Sequence, residues 1–112
     1  MQSSQLLKGT FQTIILRLLS SHDRMYGYQI TQEVRLISND EIIVTEGSLY
    51  PILHKMEEEG LVMAEKVNIG NRTRRYYSLT PAGVSRLSER LNEFEHFVQV
   101  MRRVLFPSAT TE

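Results

Sequence analysis

"EGSLYPILHKMEEEGLV", residues 46–62, has the spacing of a helix, yet it holds a glycine near its start, a proline inside and three glutamates near its end. Leu49, Ile52, Leu53 and Met56 share one face at helical intervals. Thr45 is a suitable N-cap, and Glu46 suits the positive end of a helix dipole. Gly60 stands where a left-handed C-terminal cap is wanted, with Leu61 folding back on the last turn. The pattern predicts a helix over 46–59. Pro51, in its second turn, removes the backbone bond to the Gly47 carbonyl and should loosen or bend the start.

Opposite the apolar face lie Gly47, Ser48, Tyr50, Pro51, His54 and Lys55. These side chains are small, flat or polar, and Glu57, Glu58 and Glu59 come only after them. Phosphates would repel that acidic end. Such a helix meets DNA with its N-terminal half and tilts its other end away, as recognition helices do in the major groove. Its free N–H groups also favour a nearby phosphate. Because a glycine and a proline near a helix start also occur for local reasons, the flanking sequence has to decide.

Downstream, "LVMAEKVN" and "TRRYYSLT" alternate like half-buried strands around "IGNR", with Gly70 and Asn71 as turn formers. This predicts a β-hairpin carrying Asn71, Arg72, Arg74 and Arg75, a wing able to reach phosphates or enter a minor groove. Upstream, Leu7, Phe11, Ile14, Ile15, Leu18 and Leu19 describe one amphipathic helix over 6–19. A second helix is expected over about 26–37, with Tyr28, Ile30, Val34 and Ile37 as inward candidates, closed by "SND". "EIIV" reads as one short strand or an extended lead-in.

After the hairpin, Thr80 is an N-cap and Pro81 a first helical residue. Val84, Leu87, Leu91, Phe94, Val98, Met101 and Leu105 follow at alternating steps of three and four, a heptad seam. A helix of this extent, about 40 Å long, is longer than its own small domain can cover. The expected partner is a second copy, through this helix and the first one, including Phe11 and Ile15. The fold class is therefore mainly α with a small β-hairpin: a winged helix-turn-helix over 1–79, a dimerisation helix over 80–106 and a frayed tail over 107–112.

Composition bounds the possibilities. With 112 residues the chain has room for one core, and 41% hydrophobic residues fit a folded domain. The absence of cysteine excludes disulfides and thiolate metal sites. With no long apolar run and no export signal, the chain reads as soluble and cytoplasmic, without a membrane partner. Formal charge is zero overall but uneven: −3 over 1–59, +4 over 60–91 and −1 over 92–112. The positive stretch is the hairpin with the start of the last helix. His22, His54 and His96 fall in separate elements with neither metal-ligand nor nucleophile–base spacing, and no glycine-rich phosphate loop is present. Neither an enzyme nor a cofactor or metal is expected.

"LLKGTFQTIILRLL", "YGYQI", "EGSLYPILHKMEEEGLV" and "RTRRYYSLTPAG" resemble the PadR family of bacterial transcription regulators, over about 6–104. The G-S-L-Y-P block joined to the Y-Y-x-L-T block is the specific part. The resemblance implies a winged-helix repressor, homodimeric through its last helix, binding double-stranded DNA at a pseudo-palindromic operator. It implies Ser48, Tyr50 and Pro51 as groove-facing residues, Tyr28 as a backbone contact, and Arg72, Arg74 and Arg75 as the wing. In some members a small aromatic or drug-like effector releases the DNA. This chain has a single helix after the wing, and it lacks the tryptophan that lines a flat aromatic-binding pore in some relatives. The competing reading is a winged helix that binds another protein, which zero net charge supports and the wing arginines oppose.

Overall fold

The computed structural model describes residues 4–107, so the tail beyond Pro107 lies outside the described residues. The elements in order are α1 (Ser4–Lys8), α2 (Phe11–Ser20), β1 (Met25–Tyr26), α3 (Gly27–Ile37), α4 (Glu46–Glu58), β2 (Val62–Ile69), β3 (Arg72–Leu79) and α5 (Pro81–Leu105). The chain is mostly helical with a small antiparallel sheet and a long final helix, the class that the sequence predicts.

The single helix expected over 6–19 is two. The Thr10 N–H bonds to the Leu7 carbonyl at 2.9 Å, and the Thr10 hydroxyl donates to that same carbonyl at 3.1 Å. A threonine that competes for a carbonyl three residues back, next to the flexible Gly9, ends α1 and starts α2. α2 then packs against α3, α5 and β3 together. Being covered on several sides, it buries Leu16 as fully as Ile15, although Leu16 lies off the expected apolar face.

α3 begins where the Gln29 side chain accepts the Tyr26 N–H at 3.1 Å. It buries Ile30, Thr31 and Val34, whereas Tyr28 and Ile37 are exposed at 52% and 67%. Both were inward candidates; the helix turns them to solvent because its core face is the stripe at 27, 30, 31 and 34. Asn39 and Asp40 end it in left-handed conformations, φ 54° and 65°, which short polar side chains tolerate. "EIIV" forms no strand, and Ile42 and Val44 are simply packed against the core.

α4 follows the expected pattern. The Thr45 hydroxyl accepts from the Ser48 N–H at 3.2 Å. Leu49, Leu53 and Met56 are wholly buried, with Ile52 beside them. Gly60, φ 78°, and Leu61 close the helix: Gly60 N–H bonds to Glu57 O and Leu61 N–H to Met56 O, a paired C-terminal cap. The hairpin turns on Gly70 and Asn71, with Gly70 alone at positive φ (60°), as a two-residue turn with glycine first requires.

The sheet has three strands in the order β1-β3-β2. β1 is not legible in the sequence. Two residues, Met25 and Tyr26, pair with Tyr77 and Tyr76. Met25 and Tyr77 face the core, while Tyr26 and Tyr76 lie on the outer face.

α5 is capped by Thr80, whose hydroxyl accepts from Gly83 N–H at 3.0 Å and donates to Gly60 O at 2.6 Å. Its first two turns dock on the core through Gly83 and Leu87, and from there it runs outward. The molecule measures 63 × 29 × 21 Å. Its radius of gyration is 16.3 Å, against about 13 Å for a compact chain of this length. Ile15 and Leu87, expected to face a second copy, are at 0% and 6% exposure within their own chain's core, and Phe11 is partly buried against it. The positions left open are Val84, Leu91, Phe94, Phe97, Val104 and Leu105, with Val98 and Met101 half-buried.

Candidate nucleic-acid interface

The exposed side of α4 carries Ser48, Tyr50, Pro51, His54 and Lys55, all open to solvent. Not all of them are uncommitted. The Ser48 hydroxyl donates to the Thr45 carbonyl at 3.0 Å and lies 3.2 Å from the Thr45 hydroxyl, so it helps to build the helix start. His54 sits 3.3 Å from Glu58, one turn on, which turns part of the acidic end back on the helix.

Tyr50 has two sides. Its ring lies against α3 so closely that a Cβ on Gly27 would stand 2.5 Å from the Tyr50 hydroxyl, and that hydroxyl donates to Glu46 at 3.0 Å. It is still 41% exposed. Burial pushes the phenol above its ordinary value of 10.0, and the hydrogen bond to Glu46 adds to the shift. Tyr50 is thus a spacer between α3 and α4 with one edge left open.

The wing arginines differ among themselves. Arg72 is exposed, and its side chain makes no ion pair among the described residues. The Arg74 guanidinium stacks over the Tyr26 ring, 4.2 Å from its centre. Arg75 reaches Glu57 on α4 at 3.3 and 3.5 Å, and this hydrogen bond raises its pKa further above the usual arginine value. Asn71 occupies the tip and is exposed.

Between the wing and the starts of α3 and α4 runs an open cleft of about 600 Å³, lined by Tyr26, Tyr28, Glu46, Arg72, Thr73 and Arg74. Tyr28 lies on the helix side of it and Arg72 on the wing side. The sequence reading missed Tyr26, Tyr76 and Arg24. The Tyr26 and Tyr76 rings meet edge to face at 5.4 Å, and Arg24 stacks on Tyr76 at 4.3 Å while pairing with Glu65 at 3.1 Å. The strand alternation of "RRYYSL" was the available signal: it puts Arg74 and Tyr76 on one face, Arg75 and Tyr77 on the other.

Two helices joined by a turn, the second followed by a basic hairpin, define a winged helix-turn-helix protein of the kind used by transcription regulators. Residues 15–89 match the pattern of the transcriptional regulator PadR-like family, so the chain belongs to that family. The transcriptional regulator Rv3488 of Mycobacterium tuberculosis is 37% identical over 83 residues, covering 70% of this chain and 75% of that one. Among solved structures, a transcriptional regulator from Clostridium thermocellum superposes with TM-score 0.83 at 28% identity, covering 90% of this chain and 95% of that one. A PadR family transcriptional regulator from Eggerthella lenta gives 0.80 at 25% identity, covering 91% and 87%.

Proposed function

We propose that this chain is a homodimeric repressor that binds a pseudo-palindromic DNA operator. Residues 1–79 are the DNA-binding unit and 80–106 the dimerisation helix. The N-terminal half of α4 enters the major groove, and Tyr28 and the wing meet the backbone on either side of the cleft.

The observation that carries this reading is that the acidic end of α4 is partly paired within the chain while an open cleft bordered by Arg72 runs beside its start. At the acidic end of α4, Glu57 is tied to Arg75 and Glu58 to His54, whereas the exposed start of the helix lies across a cleft from Arg72. Dimerisation is supported by α5, which exposes Leu91, Phe94, Phe97, Val104 and Leu105 at 40–64%. A monomer rarely leaves so large an apolar strip in water.

The test is a binding titration on labelled duplexes tiling the promoter region of the protein's own gene, with a scrambled duplex beside them, at about 50 to 200 mM salt. Affinity should fall steeply, with a log–log slope of roughly −0.9 for each phosphate neutralised. An absence of binding, or binding indifferent to salt, would sink the DNA reading and favour a protein-binding winged helix.

A further inference from the structure

We infer that Arg74 and Arg75 are braces that hold the wing in place, leaving Arg72 as the wing side chain that meets the DNA backbone. The last clause rests on the DNA-binding reading; the bracing does not.

The hairpin needs bracing for a geometric reason. β1 supports β3 only opposite Tyr76 and Tyr77. Beyond that point residues 66–75 continue as two strands alone, and a lone two-stranded ribbon is marginally stable in water. Arg74 is the first outer-face residue past the third strand, and it lands on Tyr26. This makes a continuous stack, Arg24–Tyr76–Tyr26–Arg74, whose far cation is neutralised by Glu65. One residue on, and on the opposite face of the same strand, Arg75 holds Glu57 near the end of α4. The wing is therefore gripped from both faces, one grip reaching the start of α3 and the other the end of α4. It cannot tilt in either direction without breaking one of them.

The stacked grip suits arginine better than lysine. A planar guanidinium stacks flat on the Tyr26 ring, and Arg75 reaches Glu57 through one nitrogen, Nη2, with the rest of its delocalised group beside it. Arg75 has its charge matched within the chain. Among the wing arginines only Arg72, on the outer face beside the cleft, has neither an ion pair nor a ring to stack on among the described residues. Tyr26 and Glu57 are then positioning residues for DNA binding.

The experiment uses the full chain with R72Q, R74Q, R75Q, Y26L, Y26F and the Y26L/R74Q pair. Two readouts are taken: amide hydrogen exchange of residues 68–73 in the DNA-free protein, and the salt dependence of duplex binding. R74Q, R75Q and Y26L should speed wing exchange and weaken DNA binding, each roughly two- to fivefold, with the salt slope unchanged. Y26F, which keeps the ring, should match the parent. R72Q should leave exchange alone and reduce the slope by about 0.9 per protomer. The Y26L/R74Q pair should be no worse than Y26L alone, because Y26L already removes the ring on which Arg74 stacks. R74Q and R75Q alter only the ends of a half-buried and an exposed side chain, so they decide the matter even if Y26L folds poorly. Unchanged wing exchange in R74Q and R75Q would overturn the bracing. A slope loss in R74Q equal to that in R72Q would overturn the division of roles. Should the parent protein bind no DNA, the functional reading falls, and the exchange measurement still upholds or refutes the brace.

Discussion

Gly83 stands in the first turn of α5, where alanine is ordinarily the better helix former. Here a Cβ would collide with the Leu61 backbone carbonyl and press on the Leu79 side chain at 3.0 Å. Neither backbone can yield without shifting α5 from the sheet. Gly83→Ala should therefore destabilise the fold by about 1–3 kcal/mol, seen as a lower melting temperature. Tyr50 permits a finer dissection. Tyr50→Phe keeps the ring against Gly27 and should melt within a few degrees of the parent, whereas Tyr50→Ala should cost about 1–2 kcal/mol. The phenol also has a pH signature. Its pKa is raised in the folded chain, so the folded state keeps the proton longer than the unfolded one. That contribution is whole below the unfolded pKa near 10.0 and is lost as pH rises through the folded pKa. Urea midpoints at about pH 9 and pH 11 should show a larger alkaline loss in the parent than in Tyr50→Phe. The outward placement of Tyr50 was legible from the helical wheel. The lock on Gly27 was not, because it depends on where another helix begins.

At the scale of elements, what could be read was whatever is encoded over a few neighbouring residues. The Thr45 and Thr80 caps, the Gly60 stop and the Gly70 turn all follow from side-chain chemistry at one position and lie where expected. β1 could not be read, since two residues carry no periodicity and pair only because Tyr76 and Tyr77 lie nearby. The fates of Arg74 and Arg75 were hidden for the same reason: their partners, Tyr26 and Glu57, are 48 and 18 residues away in the chain. The Thr80 cap is testable. Thr80→Ala removes both the acceptor for Gly83 and the donor to Gly60, and should cost about 1–2 kcal/mol. Thr80→Ser keeps the hydroxyl and should recover most of that loss in a urea titration.

For the whole molecule, the heptad seam announced a long helix but overstated which residues are left for a partner. Periodicity marks an apolar stripe without saying what covers it, and the first turns of α5 spend Leu87 on their own core. From Leu91 outward the stripe is open at Leu91, Phe94 and Leu105 and half-buried at Val98 and Met101. Sedimentation equilibrium should give a dimer at micromolar concentration. Phe94→Glu with Phe97→Glu should give a folded monomer with an unchanged melting transition at low concentration. Its DNA affinity should fall by roughly 100-fold or more, because two linked half-site contacts become one. The joint at the root of α5 has a mechanical consequence. Thr80 and Gly83 fasten the long helix to Gly60 and Leu61, the two residues that end α4. Being rigid and about 37 Å long, α5 is a lever whose short arm is welded to the rear of α4. A swing of about 5° at the joint displaces the far tip by about 3 Å. Conversely, a few ångströms of slippage between two such tips would return to α4 as a small change of pitch.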